Sequence, residues 1–134
     1  MRLTDIFNQM VHHIDGRLPE ALEEARLALL QRKPHLIALV GKHIKPEAAT
    51  WYLSVLVARD SDEISASVNI QTAPDRIDVS ADVSHEATVL WEAHRTFSTF
   101  DHSDEQVLDS LLSDFGDSAT DRIIIGLGEN GSAE

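Results

Sequence analysis

The chain contains no cysteine. That excludes disulfides, thiolate catalysis and cysteine-based zinc sites, and it suits a reducing compartment, so a bacterial-style cytoplasmic setting is expected. Aromatic residues are scarce: two Trp, one Tyr and four Phe in 134 residues. The core must therefore be built mainly from Leu, Ile, Val and Ala. No apolar run approaches the ~20 residues needed to cross a bilayer. The opening Met1-Arg2-Leu3-Thr4-Asp5 leads into an amphipathic pattern, not an apolar leader, so neither export nor a membrane role is expected.

Positive charge is also missing, and unevenly. Residues 1–50 carry seven Lys/Arg against six Asp/Glu, a balance of +1. Residues 51–134 carry only Arg59, Arg76, Arg95 and Arg122 against seventeen Asp/Glu, a balance of −13. No Lys or Arg falls between Thr96 and Asp121, where Asp101, Asp104, Glu105, Asp109, Asp114 and Asp117 lie. Such a field repels nucleic acid and anionic lipid and attracts basic partners.

A chain of this length is expected to form one domain and to bury about two-thirds of its unfolded surface without a metal or disulfide. Its opening is helical in period. Leu3, Ile6, Phe7, Met10, Val11 and Ile14 recur at spacings of three and four and form one stripe, ended by Asp15-Gly16. A second helix runs from about Pro19 to Lys33-Pro34. A short third helix is expected over His35–His43, so that residues 1–46 form a helical part.

The period then drops to two. Trp51, Leu53, Val55 and Val57 alternate with Tyr52, Ser54 and Leu56; Ile64 to Ile70, Ile77 to Val83 and Ala87 to Phe97 repeat the alternation. Short connectors at Asp60-Ser61-Asp62, Thr72-Ala73-Pro74 and Ser84-His85-Glu86 make residues 50–98 a four-stranded antiparallel meander with one apolar face. An acidic helix over 103–116 follows, with Ser103 to Gln106 as a capping box and Gly116 as its end. Arg122 to Leu127 reads equally as a fifth strand or a last helical turn, and residues 128–134 read as a mobile tail. The fold class is thus α+β: a two-layer sandwich of N-terminal helices and one C-terminal helix on an antiparallel sheet.

Catalytic signatures are wanting. Gly126-Leu127-Gly128-Glu129-Asn130-Gly131 matches a dinucleotide fingerprint, but only three residues remain to form the helix that would hold a pyrophosphate. No serine sits in a Gly-x-Ser-x-Gly elbow. The seven histidines include no His-x-His and no pair at helical metal-binding spacing; Glu92 and His94 share a strand face without a third ligand. Asp114, Asp117 and Asp121 lack the spacing of a calcium loop. No catalytic residue, cofactor or metal is assigned.

The expectation is a non-enzymatic acidic binding protein, monomer or homodimer, that captures or inhibits a basic protein partner. Its contacts are expected on the outward sheet face, at Tyr52, Leu56, Asp78, Asp82, Leu90 and Glu92, and on the acidic helix, at Asp101, Asp104, Glu105 and Asp109. Apolar anchors rimmed by carboxylates suit electrostatic steering followed by local burial. In size, acidity and layout the chain is similar, in physical type, to small bacterial immunity proteins, which neutralise nuclease-type toxins by covering a basic active site. Two other classes fit the pattern: a dimeric secretion-type chaperone, and a small-molecule enzyme or binder with a pocket lined by Trp51, Tyr52, Trp91, Glu92 and His94.

Overall fold

In the computed structural model, residues 2–57, 62–86 and 88–131 are described. Two helices, α1 (Leu3–Asp15) and α2 (Leu18–Arg32), lead into five strands, β1 (Ile37–Ile44), β2 (Ala48–Val57), β3 (Asp62–Thr72), β4 (Ile77–His85) and β5 (Thr88–Phe97), followed by a long helix α3 (His102–Gly131). The strands form one antiparallel sheet in the order β1-β2-β3-β4-β5. Each strand pairs with its sequence neighbour, as short connectors dictate. The α+β, helix-on-sheet architecture is as expected.

Four local expectations change. The segment His35–His43 is not helical: β1 occupies it and supplies the fifth strand. Ile37-Ala38-Leu39-Val40 is apolar enough to fit either period, and the two-residue turn at Pro46-Glu47, closed by Lys45 N–H donating to Ala48 C=O at 2.8 Å, returns it as a hairpin. α3 runs through Gly116 without stopping and takes in residues 128–131 of the expected tail, so that Arg122 to Leu127, open to either reading in the sequence, is helix. Gly116 keeps a negative φ, so the left-handed stop of a helix end is not made there. The cap sits two residues earlier than expected. Asp101 Oδ1 accepts from Asp104 N–H at 3.0 Å, and Asp104 Oδ2 accepts from Asp101 N–H at 3.0 Å, a reciprocal box that satisfies donors at the helix start. The connector at Asp60-Ser61, Ala87 and the tail from Ser132 lie outside the described residues.

The core lies between sheet and helices. α1 contributes Ile6, Phe7, Met10 and Ile14; α3 contributes Leu108, Leu111, Leu112, Phe115, Ala119 and Ile123 at helical spacing. The sheet answers with Trp51, Leu53 and Val55, then Ile64, Ala66, Val68 and Ile70, then Ile77, Val79, Ala81 and Val83. Burying one such Leu, Ile or Phe side chain contributes about 1.5–3 kcal/mol. No polar or charged residue is buried among the described residues. The largest core side chain, Trp51, is fully buried yet keeps its indole N–H paired, donating to Asp15 Oδ1 at 3.0 Å. All helices lie on this one side.

Candidate binding surface

The register determines which side chains share the other face of the sheet. Successive strands stand ~4.8 Å apart, and directly opposed residues point the same way. One row across the uncovered face therefore reads Gly41, Tyr52, Ser67, Asp82, Glu92. The rows on either side read Leu39, Ser54, Ser65, Ser84, Val89 and His43, Thr50, Asn69, Ser80, His94. Ile37 stands beside Leu56 and Glu63 at one end, and Gln71 beside Asp78 and Thr96 at the other. The face grades from apolar at β1–β2, through small polar groups at β3, to acidic at β4–β5.

The apolar end is open: Leu39 is 59% exposed, Ile37 48% and Tyr52 37%. The Tyr52 ring reaches over Gly41 so closely that a Cβ there would stand 2.5 Å from its Cζ, so any larger residue would have to displace the ring. Across the middle, side chains form a continuous hydrogen-bonded chain. Thr50 donates to Asn69 (2.7 Å), Asn69 to Ser67 (3.4 Å), and Ser67 and Ser84 donate to the two oxygens of Asp82 (2.9 and 2.8 Å). Such a network holds these side chains already ordered, which lowers the cost of covering them. At the acidic end Asp78 accepts from Arg76 at 3.0 Å, and His94 approaches it to 3.7 Å. Asp78, with Asp75, holds the Arg76 guanidinium protonated beyond its ordinary range.

The ten expected contact residues do not form one patch. Tyr52, Leu56, Asp78, Asp82 and Glu92 share the open face. Leu90 does not: a β-bulge between Val83 and Ser84 places Trp91 opposite Val83 and Val89 opposite Ser84. The extra residue turns Leu90 toward the core with Trp91 and leaves Val89, 52% exposed, on the outside, reversing the alternation read for both. Asp101, Asp104, Glu105 and Asp109 belong to the start of α3, in the helical layer on the other side of the sheet. All four have local partners: Asp101 and Asp104 cap the helix, Asp109 receives His13 at 2.6 Å and Arg17 at 3.8 Å, and Glu105 lies 3.9 Å from the His102 ring. Hydroxyl donation from Ser103 at 2.7 Å, then the Asp104 N–H, lowers the Asp101 carboxyl below its usual range.

Three exposed apolar residues of this face escaped the sequence reading, Ile37, Leu39 and Val89; a strand over 37–44 would have exposed the first two, and nothing short of the paired register exposes the third. The five residues named for a small-molecule pocket are divided by the sheet. Trp51 and Trp91 face the core, Trp91 tilted against Phe115 with ring centroids 6.1 Å apart, while Tyr52, Glu92 and His94 face solvent. An open depression of about 460 Å³ on the helical side is lined by Arg95, Ser103, Gln106, Val107 and Ser110, none of them among those five. No group of three His, Asp or Glu able to hold a metal ion occurs among the described residues, and no helix among them is long and apolar enough to cross a membrane. Comparison with protein-family models, with curated proteins and with solved structures returns no match.

Proposed function

We propose that this chain is a non-enzymatic cytoplasmic binding protein that captures, and by covering inhibits, a basic protein partner on the open face of its sheet. One observation carries the reading. All helices pack on one side, so the opposite face keeps exposed Tyr52, Leu39 and Ile37 beside an ordered floor of Ser and Asn and a rim of Glu63, Asp78, Asp82 and Glu92. The carboxylates steer a cationic surface inward, and the apolar side chains supply the contacts that persist after docking. The acids of α3 lie on the other side and add to the long-range field of a chain with net charge −12.

The test begins with capture from the native host and identification of a stoichiometric partner. With that partner purified, Tyr52→Ala should weaken binding by about tenfold or more. The dissociation constant should also rise steeply as salt shortens the Debye length below ~10 Å. A basic partner whose affinity ignores both Tyr52→Ala and salt would refute the reading. The dimeric secretion-type chaperone is a second reading, favoured by one observation, the unprotected strand edge at β1.

A further inference from the structure

The sheet has two edges, and they are built differently. β5 is blunted by its bulge and carries Glu92, His94 and Arg95, devices that discourage pairing with another strand. β1 is regular over Ile37–Ile44, paired on one side only, and shows Ile37, Leu39 and Ile44 each about half exposed. The hydrogen bond from Lys45 N–H to Ala48 settles which backbone groups are spent. Backbone groups alternate in direction along a strand. Lys45, His43, Gly41, Leu39 and Ile37 thus address β2, and Ala38, Val40, Lys42 and Ile44 offer their N–H and C=O groups outward.

We infer that this edge is occupied by β1 of a second copy, antiparallel about a two-fold axis at Gly41, giving a continuous ten-stranded sheet. Charge selects the occupant. Two chains of net charge −12 repel almost everywhere, but residues 32–46 contain no Asp or Glu, and α3, bearing the densest acids, packs over β3–β5 away from this edge. Within β1 the Lys42 ammonium is already neutralised by Asp15 at 3.0 Å. The strand Ile37–Ile44 itself is therefore nearly neutral and apolar, with Arg32, Lys33 and Lys45 flanking it, and a copy of itself suits it better than a charged strand.

Geometry selects the register. Centring on Gly41 pairs Ala38 with Ile44 of the second copy and Val40 with its Lys42, so all four outward residues are used on each side, for about eight backbone hydrogen bonds. Gly41 then opposes its counterpart as a non-hydrogen-bonded pair, where strands come closest, with Cα atoms ~4.5 Å apart. Neither glycine has a side chain to clash, and the two Tyr52 rings that cover them meet over the axis. Leu39 opposes His43 of the second copy. The apolar ends of two open faces become one central band, with Asp82 and Glu92 at both rims. This arrangement does not depend on capture of a basic partner, because it is measured on the chain alone.

Light scattering on the purified chain should give twice the 14.8 kDa mass, falling toward the monomer on dilution. Leu39→Glu with His43→Glu places like charges in opposition twice across the axis and should raise the dimer dissociation constant by about tenfold or more. Both side chains are exposed in the monomer, so the circular dichroism spectrum should not change. Leu39→Glu with His43→Lys turns the same pairs attractive and should restore the dimer. A wild-type chain monomeric at about 200 µM overturns the proposal. So does a dimer indifferent to the Glu/Glu variant, and failure of the Glu/Lys variant to restore association overturns the Gly41-centred pairing.

Discussion

Replacing Asp15 should separate a buried hydrogen bond from a surface ion pair. Asp15 is the last residue of α1, where a negative charge opposes the helix dipole and costs about 0.3–1 kcal/mol. It is retained in the fold by two partners, the indole N–H of fully buried Trp51 and the Lys42 ammonium, each at 3.0 Å. Asp15→Ala leaves the Trp51 N–H without its acceptor, at about 1–3 kcal/mol. It also loses an ion pair whose lysine is half exposed, worth about 0–1 kcal/mol. Relief of the dipole offsets part of this, so the net loss should be about 2 kcal/mol. With an unfolding entropy of roughly 2.1 cal/mol/K per residue, a chain of this length shifts by about 3.5 °C per kcal/mol, so Tm should fall by about 7 °C.

Asp15→Asn keeps an acceptor for Trp51. It loses only the ion pair and gains the dipole relief, so its stability should stay within about 0.5 kcal/mol of wild type. Urea unfolding followed by tryptophan fluorescence measures both variants. The pH profile adds a second readout. Donation from Trp51 first, then from Lys42, lowers the Asp15 carboxyl below its ordinary range. A depressed carboxyl contributes stability above its unfolded pKa and loses it as pH falls through the folded one. The wild type should therefore lose, below about pH 4, a component that Asp15→Asn lacks. Equal destabilisation by Asn and Ala, or an Ala variant within 0.5 kcal/mol of wild type, would refute the assignment of the main effect to the Trp51 bond.

Gly116→Ala should stabilise the chain by about 0.5–1 kcal/mol, because the added Cβ meets nothing within 4 Å and the backbone is already helical; a fall in Tm would argue for a helix break there. Gly41→Ala should cost about 1 kcal/mol by displacing the Tyr52 ring, and become neutral or mildly stabilising in a Tyr52→Ala background, as a double-mutant cycle in urea would record. Phe115→Ala removes a fully buried ring packed on Trp91 and should cost about 4 kcal/mol by the same assay. Asp101→Ala should speed amide exchange in the first turn of α3, where its carboxylate accepts the Asp104 N–H.

How much of this could be read from residues alone varies with the element. Periodicity identified α1, α2 and the alternating strands β2 to β4, because each buries one face and its pattern repeats the geometry. It failed at β1, where Ile37 to Val40 is a short continuous apolar run that satisfies either period. It failed again at β5, where one inserted residue inverts the faces of Val89 and Leu90, a change that only pairing with β4 reveals. Gly116 reads as an ending because glycine often is one; α3 is held there by the packing of Phe115 and Ala119 on either side, and tertiary burial outweighs propensity. Of the expected contact residues, the open face gathers Tyr52, Leu56, Asp78, Asp82 and Glu92. The acids of the last helix join them in the sequence by charge alone, and a count of charges carries no information about which layer holds them.

The order of elements also sets a schedule for synthesis. Strand partners are always sequence neighbours, so each hairpin can form as soon as it leaves the ribosome, within microseconds of emergence. The cover for β4 and β5 arrives last, because it is α3, whose buried stripe extends to Ile123 near the end of the chain. Until then the nascent sheet presents Val79, Ala81 and Val83 to water, and a chain stalled or truncated before residue 108 would be left as a sticky half-sandwich and a substrate for chaperones or proteases.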